Sequence, residues 1–141
     1  MNTAFLDTSI VLRHILGERG ARAGLEKFDK LYASEILRVE ALRALDRLRI
    51  SGRWPEEEVA LRVRLLTATG AAISWVPIQP AILRRASEPF PTVVGTLDAI
   101  HIATALLLRE QIKKQFIFLT YDLRQGIAAE AAGLEASGFS R

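Results

Sequence analysis

The chain contains no cysteine, which excludes a disulfide scaffold, a thiolate zinc site and a cysteine nucleophile. Histidine occurs only at His14 and His101, too few for an imidazole-built metal site or for several histidine-based triads. Aromatic residues are sparse, 7% of the chain. Trp54 and Trp75 stand apart from the acidic motifs and read as core or interface, because a base-stacking platform needs several aromatics on one surface. Long apolar runs are also missing. Leu97–Leu108 is broken by Asp98, His101 and Thr104 and falls short of the ~20 residues a membrane span needs. Met1–Leu6 has neither the basic start nor the apolar stretch of a signal peptide. These absences point to a soluble cytoplasmic protein with no membrane partner, whose chemistry is done by oxygen.

What remains is ordinary globular material. The 141 residues, 50% hydrophobic and 25% charged, suit a single domain able to bury a real core. Nineteen basic against sixteen acidic residues leave a net charge of +3, which permits a polyanionic partner without demonstrating one. The chain has no internal repeat, low-complexity tract or long linker.

Short apolar runs alternate with amphipathic helical stretches, the pattern of an α/β sheet packed by helices. Thr3–Leu6 reads as a buried first strand. The hydroxyls of Thr8 and Ser9 are placed to cap a helix running to Leu16. Gly17 and Gly20 then loosen the chain before a second helix over Ala21–Phe28. Lys30–Ala33 reads as a strand, Ser34 as the cap of a long helix to Ile50, and Pro55 as the opening of another whose first turn holds Glu56, Glu57 and Glu58. Further strands are expected at Ile73–Val76, Phe116–Leu119 and, at an edge, Leu134–Ala136, with helices over Pro80–Ser87, Leu97–Gln111 and Leu123–Ala132. Strands separated by helices run parallel, and an open α/β sheet binds its ligand at the carboxyl ends of its strands.

Four acids stand where such a domain has no obvious structural use for them. Asp7 ends the first strand, and Asp122 lies three residues past Leu119 at the end of a later one. Glu40 belongs beside the apolar face made by Leu37, Ala41, Ala44, Leu45 and Leu48. Asp98 opens an otherwise apolar helix. Each has a plainer reading: an Asx turn or helix cap for Asp7, a cap for Asp122, dipole complementation behind a Thr96 cap for Asp98, and pairing with Arg38, Arg43 or Arg13 for Glu40. If the four meet, two unit charges ~4 Å apart repel by about 4 kcal/mol at an effective dielectric near 20. A hard divalent cation, Mg²⁺ or Mn²⁺, then becomes the economical counter-charge. Such a site suits phosphodiester hydrolysis. The hydroxyls of Thr8, Ser9 and Thr120 would orient water there, or serve as caps.

Phe5-Leu6-Asp7-Thr8-Ser9, Glu40 within a long helix, Leu97-Asp98-Ala99-Ile100-His101-Ile102-Ala103-Thr104-Ala105 and Phe118-Leu119-Thr120-Tyr121-Asp122 together resemble a PIN-domain protein of the VapC toxin type. The resemblance covers essentially the whole chain. It implies one PIN-like nuclease domain over residues 1–141, built as a three-layer α/β/α sandwich around a mainly parallel sheet. It also implies a homodimer with Mg²⁺- or Mn²⁺-dependent endoribonuclease activity on RNA, and a small antitoxin as partner. Asp7, Glu40, Asp98 and Asp122 match the acidic, metal-holding centre, with Ser9 and Thr120 as supporting hydroxyls.

His101 reads as a packed or hydrogen-bonded structural histidine rather than a general base, and His14 as a surface or dimer contact. Two rivals fail on the residues: a receiver domain needs a second acid where Trp75-Val76-Pro77 stands, and an aspartyl-phosphate phosphatase needs an Asp where Ser9 stands. A non-catalytic module of the same fold, with a structural cation and protein contacts only, stays open. Groove residues such as Arg13, Arg43, Arg84 and Arg124 would set specificity.

Overall fold

Four consecutive buried residues, Thr3, Ala4, Phe5 and Leu6, are what a strand covered on both faces requires, and they form β1 (Thr3–Leu6) at the centre of the sheet. The computed structural model describes residues 2–17 and 24–140. After β1 come α1 (Thr8–Leu16), a single 3-10 turn (Leu25–Lys27), β2 (Lys30–Ser34), α2 (Ile36–Ile50) and α3 (Glu56–Gly70). Then follow β3 (Ile73–Val76), α4 (Pro80–Ala86), α5 (Thr96–Ile112), β4 (Ile117–Leu119), α6 (Leu123–Ala131) and β5 (Glu135–Ser137). The helix expected over Ala21–Phe28 has its start, like Gly20, outside the described residues. The rest of that stretch makes only the 3-10 turn, with Phe28 already extended.

The strands lie in the order β3-β2-β1-β4-β5, every neighbouring pair parallel. The pleat sends Ala4 and Leu6 to one face and Phe5 to the other. On the first face they pack with Ile10, Val11 and Ile15 of α1, Leu37, Ala41 and Leu45 of α2, and Val59 and Leu66 of α3. On the second, Phe5 and Phe118 pack with Ile102, Ala105 and Leu106 of α5 and Ala128 and Ala129 of α6. The result is the expected three-layer α/β/α sandwich.

The helix starts differ from expectation in detail. Ser34 finishes β2 rather than capping α2, although its Oγ still accepts from the Ile36 N–H at 3.2 Å. Thr96 does not cap α5: it is the first helical residue, and Gly95 occupies the cap position without a side-chain bond. The acidic first turn of α3 behaves as foreseen. Glu58 there pairs with Arg62 at 3.5 Å, and Arg62 also donates to the Ile15 carbonyl at 3.0 Å, tying α3 to α1.

The chain end folds back on the sheet. At Gly138 the backbone has φ +104°, and a Cβ would stand 2.7 Å from the Thr120 carbonyl oxygen, so no larger residue fits. The ring of Phe139 lies against Gly126, leaving no room for a Cβ there either. Among the described residues no helix is long and apolar enough to cross a membrane.

Phe118 is fully buried and its ring stacks on Phe5 at 5.6 Å between centroids. Phe118→Ala removes that stack and leaves a cavity beneath α5 and α6, so it is expected to lower stability by about 3–5 kcal/mol, read as a reduced midpoint in urea unfolding.

Candidate functional site

The order of strands reverses at β1: β2 and β3 lie on one side, β4 and β5 on the other. A crevice opens beyond the carboxyl ends of the strands at such a switch point. The backbone binds the two strand ends together there, because the Asp7 N–H donates to the Leu119 carbonyl at 3.0 Å. Asp7 and the Thr120–Asp122 turn, more than a hundred residues apart in sequence, thus meet at one point.

Asp7 is only 4% exposed, and a buried carboxylate has to be met by donors. Its Oδ2 accepts from Ser9 Oγ at 2.7 Å, from Thr120 Oγ1 at 2.8 Å and from the Ser9 N–H at 3.4 Å. The last contact makes Asp7 itself the cap of α1. The hydroxyls of Thr8 and Ser9 are therefore not the caps: the buried charge has drawn Ser9 to itself. Ser9 Oγ and Thr120 Oγ1 also accept, from the N–H groups of Tyr121 and Asp122, both at 3.0 Å. Asp122 is exposed and caps α6, its Oδ1 accepting from the Gln125 N–H at 3.1 Å.

Glu40 comes in from α2, half-buried, and its partner is not an arginine. Arg43 pairs with Asp46, Arg38 lies over Trp75 and Arg13 over Tyr121. Glu40 Oε1 instead accepts from His101 Nε2 at 2.5 Å and from Thr8 Oγ1 at 2.8 Å. Burial pushes the Glu40 carboxyl up, but the hydrogen bond and charge of His101 together with the Thr8 bond outweigh it, holding the group below its usual range. His101 is hydrogen-bonded and fully buried, as expected, yet it stands inside the acidic centre, its Nε2 3.8 Å from Asp7 Oδ1.

Asp98 completes the set. Its carboxyl is pushed up to about 6, first by burial and then by the negative charges of Asp7, Asp122 and Glu40, with only His101 opposing. All four acids named from the sequence therefore share one electrostatic environment at the carboxyl ends of β1 and β4.

Three participants escaped the sequence reading: Thr8 as a donor to Glu40, His101 as its hydrogen-bond partner, and Gln125. Gln125 is 2% exposed, and only with its amide nitrogen turned to Asp7 are both ends of the amide satisfied; it then donates to Oδ1 and Oδ2, each at 3.0 Å. A usable signal existed. Gln125 precedes the buried Ala128 and Ala129 by three and four residues, the spacing that marked Glu40 as inward-facing.

The donor set is chemically that of a hard cation, carboxylate oxygens with a single imidazole beside them. Burial first, and then the negative charges of Asp7, Asp122 and Glu40, raise the Asp98 carboxyl to about 6, so positive charge would be favoured there. Among the described residues, no three such side chains are arranged as a ready-made ligand cage, against the expectation of a four-carboxylate cluster. His101 Nε2 and Thr8 Oγ1 both bond Glu40 through Oε1. The carboxylates suit Mg²⁺, which is usually bound through one or two of them and keeps several waters.

The sequence model of the PIN domain matches residues 4–131. No curated protein matches the chain in sequence. Among solved structures, a toxin–antitoxin complex from Klebsiella pneumoniae superposes with a TM-score of 0.64 at 20% identity, over 98% of this chain and 96% of that one. The VapBC2 structure from Rickettsia felis, bound to a promoter DNA fragment, gives 0.66 at 13% identity over 96% and 97%. A protein from Pyrobaculum aerophilum gives 0.62 at 16% over 96% and 89%. Likeness at these identities shows a shared fold.

The shift at Asp98 is measurable. Because the folded Asp98 titrates near 6 against an ordinary 3.8, the native state holds this proton to higher pH than the unfolded chain. Its contribution to stability is fully present below 3.8 and is lost as pH rises through about 6. Metal-free Asp98→Asn should accordingly melt above the wild type at pH well over 6 and lose that advantage in acid below 3.8, read from thermal unfolding across pH.

Proposed function

The chain belongs to the PIN domain family, and we propose that it is a metal-dependent endoribonuclease, the toxin of a type II toxin–antitoxin pair acting in the cytoplasm. The observation that carries this reading is the electrostatic convergence of Asp7, Glu40, Asp98 and Asp122 where the strand order reverses. In it, residues 1–141 make one nuclease domain.

The proposed ligands of Mg²⁺ or Mn²⁺ are Asp7, Asp98, Asp122 and Glu40. When bound, the cation would polarise the scissile phosphate and lower the pKa of an attacking water. The chain's own residues supply the rest. Ser9 and Thr120 fix the Asp7 carboxylate through Oδ2. His101 and Thr8, bonded to Oε1, keep Glu40 ionised. Arg13, stacked over Tyr121 at 4.3 Å from the ring centroid, and Arg124, two residues past Asp122, offer guanidinium groups to flanking phosphates.

Two of the structural neighbours are described as toxin–antitoxin assemblies, which supports a small antitoxin as partner. Exposed Val39 and Leu42 on α2 and Leu61 and Leu65 on α3 offer apolar surface for an antitoxin or for the second subunit of a homodimer.

Purified protein should cut a structured RNA with Mg²⁺ or Mn²⁺ and stop on addition of EDTA. Asp7→Asn and Asp98→Asn should remain folded and lose more than roughly 100-fold in cleavage, beyond what removing an outer-shell partner costs. Undiminished cleavage by folded Asp98→Asn overturns the role of that residue. Failure of the wild type to cleave any RNA with either metal favours the non-catalytic module.

A further inference from the structure

One group around Asp7 has no part in the roles assigned so far. Gln125 sits in the first turn of α6, fully buried, where an amide must place its donors or forfeit the cost of desolvating them. Its amide nitrogen stands 3.0 Å from each oxygen of Asp7, so that an N–H is shared between the two. The same residue reaches a second acid through its backbone, the Gln125 N–H donating to Asp122 Oδ1 at 3.1 Å.

The consequence for Asp7 is an asymmetric carboxylate. Oδ2 takes Ser9 Oγ, Thr120 Oγ1 and Gln125, with the Ser9 N–H further off at 3.4 Å. Among the described residues Oδ1 takes Gln125 alone, and it faces His101 Nε2 at 3.8 Å. An ionised carboxylate has about four lone-pair sites over its two oxygens, so protein donors saturate Oδ2 while Oδ1 keeps capacity. The hydroxyls by themselves hold only one oxygen and leave the plane of the group free to turn about it. Gln125, coming from the α6 side and touching both oxygens, removes that freedom.

We propose that Gln125 is a positioning residue for Asp7: its amide sets the plane of the carboxylate and presents Oδ1, on the side of His101 and Glu40, as the oxygen open to a divalent cation. This rests on the reading of the acids as a metal site. A substitution at this position spares the backbone bond to Asp122.

The test uses the full chain, with Mn²⁺ as the probe. Gln125→Met keeps the length and removes both donors; Gln125→Asn keeps the amide but withdraws it by one methylene. Mn²⁺ affinity of the metal-free protein is read by the electron paramagnetic resonance signal of the free ion, with thermal unfolding as the control for folding. Both variants should bind Mn²⁺ about 10–100-fold more weakly. Where RNA is cleaved, kcat should fall by a similar factor with KM for RNA unchanged. A residue that merely fills space would lower the melting temperature and move neither quantity. If Gln125→Met does not fold, Gln125→Asn decides. Wild-type Mn²⁺ affinity in a folded Gln125 variant, with binding lost in Asp7→Asn, overturns the role of Gln125 alone. Wild-type affinity in Asp7→Asn as well overturns the metal site itself, and this proposal with it.

Discussion

The burial of one ionised side chain organises the centre of this molecule. Leaving a carboxylate unpaired away from water costs several kcal/mol or forces it to take up a proton. Asp7, at the end of the central strand, is met instead from three directions: Ser9 from its own helix, Thr120 from the end of β4, and Gln125 from α6. Each donor is itself anchored, the two hydroxyls by accepting backbone N–H groups of the β4–α6 turn. Pairing of β1 with β4 is thus more than sheet assembly; it delivers the donors that make a charge at Asp7 tolerable.

Around that fixed point the other acids are driven in opposite directions by what touches them. Glu40 and Asp98 are both half-buried and share the same crevice. Glu40 has His101 and Thr8 against it and is held down; Asp98 has three carboxylates for company and is pushed up to about 6. Where burial and like charges act together, the least-partnered acid gives way. The imbalance follows from position: Asp98 opens α5, and His101, one turn further along the same helix, points to Glu40.

Much of the fold was legible because its signals are local. The apolar runs at Thr3–Leu6 and Ile73–Val76 coincide with β1 and β3, and β4 begins one residue later than expected, at Ile117, with Phe116 buried all the same. Helix ends were harder, since a cap is decided by competition for the same donor. Ser9 carries the chemistry of a cap, yet a buried carboxylate two residues earlier has the stronger claim on its hydroxyl. The four acids could be named from strand ends and helical spacing. Their partners could not, because the Glu40–His101 and Asp7–Gln125 contacts join helices far apart in sequence. Among the described residues no arginine meets Glu40, although several are nearer along the chain.

The reversal of strand order also governs when the crevice can exist. Its parts come from residues 7–40 and 98–125, and among the described residues five α-helices and two strands separate β1 from β4 along the chain. During synthesis, β4 and the start of α6 must leave the ribosome before Thr120 and Gln125 can reach Asp7. Until then the nascent protein has its first acid without the neighbours that orient it. A chain stalled or truncated before β4 would carry Asp7 without Thr120 and Gln125, its crevice unassembled.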